Sequence, residues 1–415
     1  MENNESITSR ISNFENLGFG LFMHYGLYSQ VKRGEWIQWI DKIPASEYAP
    51  LINTFNADGF NPRETMAYAK KAGMKYAVLT TRHHEGFSLY DTKGLSDFDV
   101  MHSPVGKDLI RIYVDACNEF DIIPFFYHTT IDWHDERYYN RTDFDGYIDY
   151  LHKSIELLCT NYGKIGGFWF DGNWDAPNEN WRADEMYEII RKHQPDCIIA
   201  NNPGIGFAGK IYGQEEDVIC FEQGAPDVID SGNIRLRAKE MSQTINSHWA
   251  FWAKDTSYKS VNEIIKMMCY CRSKGSNYLL NLTPNDIGNI PTIQKGMLEI
   301  IGDFTKEYAK PFYNGKPLAN FKSENEDFAV KTKDGEIYIF AYDFYENDPL
   351  YSVNGVGTCR KTYTGITSDI KSICWADNNE KLEFSQDKTN NSVSINETNF
   401  KDGTCFPVRV MKLCI

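Results

Sequence analysis

The sequence of 415 residues lacks the patterns that would place it in a membrane, in a secretory pathway or on a nucleic acid. No apolar run approaches the roughly 18 residues of a membrane-spanning helix. Residues 1–16 are polar, without the basic segment and apolar core of a signal peptide. Acidic residues outnumber basic ones and give a net charge of −15, which disfavours nucleic acid and anionic lipid. We therefore expect no nucleic-acid partner and no membrane partner.

Metal-binding and cofactor-binding patterns are also missing. The ten cysteines include no Cys-X-X-Cys pair, and neither His-X-His nor His-Glu-X-X-His occurs. His83 and His84 are adjacent, and neighbouring residues of one strand point to opposite faces, so they could share an ion only across a bulge. No glycine-rich phosphate loop follows the first apolar segment. We predict no metal and no cofactor, and the scattered cysteines, as reduced thiols, favour a cytoplasmic location.

What the sequence does contain is a repeated alternation of apolar strands and helices. The eight strand candidates lie at residues 18–26, 75–84, 122–127, 166–171, 197–202, 217–222, 248–252 and 277–282. The helical segments lie at residues 62–72, 108–120, 144–161, 182–193, 261–274 and 292–308. This alternation implies parallel strands with right-handed crossovers, and eight strands over about 300 residues imply a (β/α)8 TIM-like barrel at residues 1–310. A doubly wound open sheet is the alternative, and the seventh strand has the weakest pattern.

The last hundred residues have a different character. Helical periodicity stops near Pro311, and short alternating runs replace it at residues 328–332, 337–341, 392–395 and 408–413. Turns rich in Asn, Asp and Gly separate these runs. We therefore predict an antiparallel β-sandwich at residues 311–415, without a catalytic constellation of its own.

Polar side chains follow nearly every strand of the predicted barrel. They are His24, His83, His84, Tyr127, His128, Asp171, Asn201, Asn202, Glu222, Trp249 and Asn281. The carboxyl ends of the strands form the active-site face of such a barrel. One polar strand end could be a helix cap, whereas this many at one face predict a pocket for a polar ligand.

The fourth strand carries the most informative side chain. Residues 166–172 read as two glycines, an apolar run, Asp171 and a terminating glycine. Trp169 and Asp171 share one face because side chains alternate along a strand. A carboxylate beside an indole at the exit of a buried strand is costly unless it has partners or a function, although capping the next helix is an alternative role.

A second carboxyl group, Glu222, ends the sixth strand. Side chains reaching inward from two strands apart could approach to about 5–5.5 Å, the separation used by retaining glycosidases. One carboxylate would then be the nucleophile and the other the general acid and base. Glu222 could instead pair with a basic side chain, and Glu215 and Glu216 are close rivals.

Several stretches resemble the α-L-fucosidases of glycoside hydrolase family 29. They are residues 22–26 (Phe-Met-His-Tyr-Gly), 34–36 (Gly-Glu-Trp), 60–62 (Phe-Asn-Pro), 72–80 running into 83–87 (His-His-Glu-Gly-Phe), 169–172 (Trp-Phe-Asp-Gly) and 279–284 (Leu-Leu-Asn-Leu-Thr-Pro). They follow the family order and cover about residues 14–317. The lysine-tyrosine strand that leads into a double histidine and the Trp-Phe-Asp-Gly stretch are the most specific of them.

The resemblance implies a retaining exo-α-L-fucosidase with a barrel followed by a β-sandwich, acting on fucosylated oligosaccharides or glycoconjugates. It implies that Asp171 is the nucleophile, and Glu222 matches the acid/base best by strand order, with Glu216 second. It also implies that seven residues line the fucose pocket: His24, Glu35, Trp36, His83, His84, Tyr127 and Trp169. Trp36 or Trp169 would face the C6 methyl group of the deoxy sugar.

The chain departs from the family pattern after the fifth strand. Relatives often carry an arginine there, whereas this chain has Asn201, Asn202 and Pro203. That difference and the uncertain acid/base keep one alternative open, a catalytically inactive fucose-binding protein on the same scaffold. A metal-dependent hydrolase on a barrel is a third hypothesis.

Overall fold

The computed structural model describes residues 4–207, 210–227, 236–342, 358–400 and 406–415. The chain divides into two compact units. The first contains the chain up to Lys259 together with Ser276–Glu299, and the second contains Ser260–Gly275 and the chain from Ile300 onward. The boundary at residue 310 that we expected from the sequence stays a prediction.

The first unit is built on a closed barrel of eight parallel strands. They are β1 (Phe19–Met23), β2 (Tyr76–Arg82), β3 (Ile123–Thr129), β4 (Gly167–Asp171), β5 (Ile198–Asn202), β6 (Val218–Glu222), β7 (Ala238–Thr244) and β8 (Ser276–Leu282). Each strand pairs with the next in sequence, and β8 pairs with β1. The predicted (β/α)8 barrel is confirmed, and the open sheet is excluded because the ring of strands closes.

The seventh strand was misplaced in our sequence analysis. We expected it at residues 248–252, whereas β7 is Ala238–Thr244 and residues 248–252 lie in the loop beyond it. The sequence of β7, Ala-Lys-Glu-Met-Ser-Gln-Thr, has few apolar residues, yet Glu240 is buried inside the barrel. Its carboxyl group accepts hydrogen bonds from Tyr76 and Trp169, which come from distant parts of the chain.

The six helices expected from the sequence lie close to their predicted positions, and the described chain adds six that the sequence analysis did not predict. Together they are α1 (Asn4–Glu15), α2 (Tyr28–Val31), α3 (Ile37–Ile40), α4 (Ala45–Tyr48), α5 (Pro62–Lys71), α6 (Leu109–Glu119), α7 (Glu136–Tyr139), α8 (Phe144–Asn161), α9 (Ala183–His193), α10 (Val261–Ser273), α11 (Thr292–Glu307) and α12 (Ala309–Asn314). Asn61, Asp108 and Asp143 cap α5, α6 and α8 by accepting a backbone N–H of the first turn. None of the described helices is both long and apolar enough to cross a membrane.

Helix α1 closes the end of the barrel where the strands begin. Its Phe14 ring lies 5.5 Å from the ring of Tyr76 and 5.9 Å from that of Phe125. Arg10 forms a buried ion pair with Asp217, with Nη2 2.9 Å from Oδ1. Ile11 and Phe14 of α1 thus extend the apolar core of the barrel at this end.

The second unit contains two antiparallel sheets. The larger has the order β14 (Lys381–Leu382), β13 (Ser372–Trp375), β17 (Arg409–Cys414), β11 (Ile337–Ala341), β10 (Phe328–Lys331) and β9 (Lys316–Pro317), and the smaller has the order β12 (Thr358–Thr364), β16 (Ser392–Thr398) and β15 (Phe384–Asp387). Ile339 and Trp375 from the larger sheet share one apolar core with Tyr363 and Ile395 from the smaller. The predicted β-sandwich is confirmed.

Candidate active site

A cavity of about 530 Å³ opens where the barrel strands finish, and we call it the central cavity. The two carboxyl groups and the seven residues implied by the family resemblance all line it: His24, Glu35, Trp36, His83, His84, Tyr127, Trp169, Asp171 and Glu222. The barrel therefore brings together residues that are up to 198 positions apart in the chain. Of the other strand-end residues expected there, Asn202 and Trp249 line it, whereas His128, Asn201 and Asn281 do not.

Asp171 ends β4 with its carboxylate surrounded by hydrogen-bond donors. The hydroxyl of Tyr127 donates to Oδ2 at 2.9 Å, and Nε2 of His84 lies 3.5 Å from the same oxygen. The indole of Trp174 and the amide of Asn202 donate to Oδ1 at 2.9 and 3.2 Å. These contacts stabilise a negative charge on Asp171 and fix the direction of its oxygens.

The turn after Asp171 requires glycine. Gly172 has φ +115°, and a Cβ there would lie 2.5 Å from Ile131 and 2.8 Å from the hydroxyl of Thr130. Glycine alone fits this backbone, which lets the chain turn back so that Trp174 reaches Asp171. The glycine that marked the strand end in the sequence thus also shapes the cavity wall.

Asn202 joins the two carboxyl groups. The same Nδ2 atom lies 3.2 Å from Oδ1 of Asp171 and 2.7 Å from Oε2 of Glu222, so these two oxygens are at most about 6 Å apart. The range for retaining glycosidases is about 5–5.5 Å and that for inverting ones about 6.5–9.5 Å. Asn202 stands at the end of β5, where the family resemblance led us to expect an arginine.

Glu222 differs from Asp171 in its surroundings. Its burial, followed by the nearby charge of Asp171, raises its pKa to about 7, against the opposing hydrogen bond from Asn202. The group therefore holds its proton at neutral pH more readily than an exposed glutamate. This is the property required of a general acid.

The two other candidates for the acid/base, Glu215 and Glu216, contact groups outside the central cavity. Glu216 is fully buried, and its Oε1 accepts from the backbone N–H groups of Tyr212 and Gly213 and from the hydroxyl of Tyr187. Glu215 pairs with Arg191 at 3.3 Å. Neither lines the central cavity.

Hydrogen bonds fix the protonation of His24. Burial lowers its pKa to about 3, so the ring is neutral. The amide of Asn281 donates to the carbonyl of Trp249 at 2.7 Å, which turns its oxygen toward Nδ1 of His24 at 2.8 Å. Nδ1 must therefore carry the hydrogen, and Nε2 is left as an acceptor for a ligand hydroxyl.

Both adjacent histidines face the central cavity. The register of β2 against β3 shifts between Thr80 and Arg82, and the strand ends before His83. Both histidines therefore lie beyond the strand, where side chains need not alternate between two faces, and the His83 and His84 rings lie 4.2 Å apart. Among the described residues no cluster of three His, Cys, Asp or Glu side chains could hold a metal ion.

Glu35 and Trp36 come from the loop after β1. Oε2 of Glu35 accepts the backbone N–H of Ala250 at 2.9 Å, and burial raises the pKa of this carboxyl group. The ring of Trp36 lies 5.3 Å from that of His84 and 6.0 Å from that of Trp174, with which it stacks. Together they form a wall with one acid and two indole rings.

Trp169 forms the apolar floor of the cavity. It stacks on Tyr127 with ring centres 5.7 Å apart, and its indole N–H donates to Oε1 of Glu240 at 3.0 Å. Burial raises the pKa of Glu240 to about 7. Glu240 thus lies beneath the site, and its hydrogen bond fixes the orientation of the Trp169 ring.

The sequence analysis missed several lining residues. They include Phe22, Trp174, Ile205, Phe207 and Gln223, whereas Asn202 and Trp249 were noted only as strand ends. Trp174 and Gln223 lie within three residues of the ends of the two strands that carry the carboxyl groups, so their place in the chain could have indicated them. Ile205 and Phe207 lie in the long β5–β6 connection, where no periodic pattern marks a residue.

A closed barrel with paired carboxyl groups in a cavity at its carboxyl end has the arrangement of a glycoside hydrolase. Comparison with known proteins identifies which family of glycoside hydrolases this is. Residues 1–310 match the family model described as alpha-L-fucosidase. The chain belongs to the α-L-fucosidase family.

Individual relatives agree with this assignment. A putative alpha-L-fucosidase of Caenorhabditis elegans is 26% identical over 73% of this chain and 67% of its own length. The tissue alpha-L-fucosidase of Rattus norvegicus is 26% identical over 78% of this chain and 74% of its own. The solved structure of alpha-L-fucosidase isoenzyme 1 from Paenibacillus thiaminolyticus is 28% identical, has a TM-score of 0.84 and matches 98% of this chain and 99% of that one.

Proposed function

We propose that this protein is a retaining exo-α-L-fucosidase that removes terminal α-L-fucose from fucosylated oligosaccharides or glycoconjugates. The observation that carries the proposal is the short distance between the oxygens of Asp171 and Glu222, which Asn202 bridges. Membership of the α-L-fucosidase family supports fucose as the sugar.

In the first step, Asp171 attacks C1 of fucose and forms an ester bond to it. The bond from C1 to the glycosidic oxygen breaks, and Glu222 gives its proton to that oxygen, so the leaving group departs as a neutral alcohol. Burial and the charge of Asp171 raise the pKa of Glu222 to about 7, so a large fraction of the molecules carry this proton at neutral pH.

In the second step, the ionised Glu222 takes a proton from a water molecule, whose oxygen attacks C1. The ester bond breaks, Asp171 becomes a carboxylate again, and fucose is released with its original anomeric configuration. Two inversions give net retention, and both groups return to their starting states.

The remaining lining residues bind the sugar in this proposal. Nε2 of His24 accepts a hydroxyl hydrogen, since its Nδ1–H is held by Asn281. Glu35, His83 and His84 provide further polar contacts, and Trp36 or Trp169 faces the C6 methyl group. A hydroxyl added at C6 would lose water without gaining a partner against an indole, which disfavours galactose.

Proton NMR during hydrolysis of 4-nitrophenyl α-L-fucoside tests the proposal. We expect α-L-fucose as the first product, followed by mutarotation. β-L-fucose as the first product would show inversion, and fucose binding without any release of sugar would show an inactive binding protein. The predicted cytoplasmic location stays a prediction, which cell fractionation would test.

A further inference from the structure

A second cavity of about 580 Å³ lies in the first unit, beside the central cavity, and we call it the lateral cavity. Helix α3 and the segment from Trp133 to Asn140 contribute to its walls. Two of its large aromatic side chains are exposed, Trp39 by 51% and Tyr139 by 55%. Exposed aromatic rings of this size, grouped in a concave site, call for a ligand because soluble proteins otherwise cover them.

The aromatic rings of the lateral cavity form a flat platform. Trp39 stacks on Trp133 with ring centres 5.8 Å apart and an interplanar angle of 24°. Indole and phenol rings have apolar faces and polar edges, which suits the apolar C–H face and the surrounding hydroxyls of a pyranose ring. The amides of Gln38 and Asn140 also line the cavity.

Gln38 provides an independent sign that a polar ligand belongs there. It is only 5% exposed, and its side-chain Oε1 has no hydrogen-bond partner among the residues described. A buried acceptor without a partner is costly, and a donor from a bound ligand would remove that cost. A sugar hydroxyl is such a donor.

The lateral cavity continues the wall of the central cavity. Trp133 lies 5.4 Å from Trp36, which lines the central cavity, and 5.8 Å from Trp39. Trp133 also lies 5.4 Å from His84. Two ring-to-ring steps therefore lead from the proposed fucose site to the platform, a span within reach of one short oligosaccharide.

We propose that the lateral cavity binds a second, uncharged sugar of the substrate whose fucose occupies the central cavity, with that sugar stacked on Trp39 and a hydroxyl bonded to Gln38. Both an acid, Glu136, and a base, Lys42, border the cavity, which offers no net charge for an ionic ligand. The inference rests on the proposed fucosidase function and adds that the preferred substrates are oligosaccharides rather than simple fucosides.

The test compares two kinds of substrate. Wild-type protein, Trp39→Ala, Tyr139→Ala and Gln38→Leu are assayed on 4-nitrophenyl α-L-fucoside and on fucosylated trisaccharides that differ in linkage. For at least one trisaccharide, we expect Trp39→Ala to lower kcat/KM at least tenfold more than it does for the aryl fucoside. Trp39→Phe should recover most of that difference. Ile40→Ala, at an exposed neighbour that does not line the cavity, is the matched control and should show no difference between substrates.

A second readout separates this inference from the fucosidase proposal. Calorimetry in the Asp171→Asn background measures binding of the same trisaccharides and of free L-fucose without turnover. Weaker trisaccharide binding with unchanged fucose binding in the Trp39→Ala, Asp171→Asn double variant supports the lateral site even if the wild type proves inactive.

Equal losses on all substrates, or no loss on any, would overturn the inference. So would a change of sedimentation coefficient on Trp39→Ala with unaltered substrate ratios, because the platform would then be a self-association surface.

Discussion

The two sides of the central cavity hold their carboxyl groups in opposite ways. On the β3–β4 side, Asp171 receives donors from Tyr127, Trp174 and Asn202, and His84 lies beside it. On the β6 side, Glu222 is partly buried, and this burial together with the nearby charge of Asp171 raises its pKa. The first environment stabilises a carboxylate and the second favours a carboxylic acid.

This difference explains how two carboxyl groups in one cavity can act as a nucleophile and as an acid. Asn202 contacts both groups, so the difference cannot come from the shared contact. Burial alone does not explain it either, because Asp171 is itself buried. The difference lies in the additional donors, Tyr127 and Trp174, that contact Asp171. Variants that remove either carboxyl group, or one of its contacts, should lower activity. The loss should be largest for the group that forms a bond to the sugar.

The largest effect is expected from Asp171→Asn. The variant keeps the shape but removes the attacking oxygen, so kcat/KM for 4-nitrophenyl α-L-fucoside should fall by about four powers of ten or more. Asp175→Asn, at a carboxyl group four residues along that does not line the cavity, is the control and should retain activity. More than about a tenth of wild-type activity in Asp171→Asn would refute the nucleophile assignment.

Glu222→Ala should cost about 10²–10⁴-fold in turnover of a substrate with a poor leaving group. On 4-nitrophenyl α-L-fucoside, whose leaving group departs without an acid, the fucosyl-enzyme still forms, and azide should restore turnover and give α-L-fucosyl azide because it attacks C1 without needing a general base. Glu216→Gln keeps an oxygen acceptor for Tyr187 and serves as the control. Azide rescue of Glu216→Gln instead of Glu222→Ala would reverse the assignment.

Tyr127→Phe sharpens the Asp171 side of the comparison. The change removes one hydrogen bond to a charged group, worth about 1.5–3 kcal/mol, so kcat/KM should fall about 10- to 100-fold. Trp169, which stacks on Tyr127, should keep its environment, and an unchanged near-ultraviolet circular dichroism spectrum checks this. Wild-type kcat/KM would show that the hydroxyl does not support the charge of Asp171.

The smallest effect is a shift in pH dependence. Glu222 must be protonated to act as an acid, so kcat/KM for a fucosyl-oligosaccharide should fall as the pH rises through about 7. The Asn202 amide stabilises the ionised form of Glu222, and Asn202→Ala should therefore raise the pKa and move this limb to higher pH. A limb that moves to lower pH, or does not move, would contradict the role given to Asn202.

The sequence predicted a strand well when the residues that mark it are neighbours in the chain, and poorly when its hydrogen-bond partners are distant. Strands β2 and β4 could be predicted because their apolar runs and following polar residues are local patterns. Strand β7 could not, because Glu240 is satisfied inside the barrel by Tyr76 and Trp169, 164 and 71 residues away. A polar residue whose partner is distant resembles a surface residue in the sequence.

The same limit applied to the site. The positions of Asp171 and the histidines followed from strand ends and from the family resemblance. The bridge formed by Asn202 required distances across three strands, and the lateral cavity required side-chain packing between segments a hundred residues apart. These features arise only once the barrel has closed.

Trapping the covalent intermediate tests the central claim most directly. The protein is incubated with 2-deoxy-2-fluoro-α-L-fucosyl fluoride, and its intact mass and peptides are measured by mass spectrometry. We predict one fluorofucosyl group per chain, attached to the peptide that contains Asp171 and absent from Asp171→Asn. Attachment to Glu222, or turnover of aryl fucoside with no trapped adduct under any condition, would contradict the account.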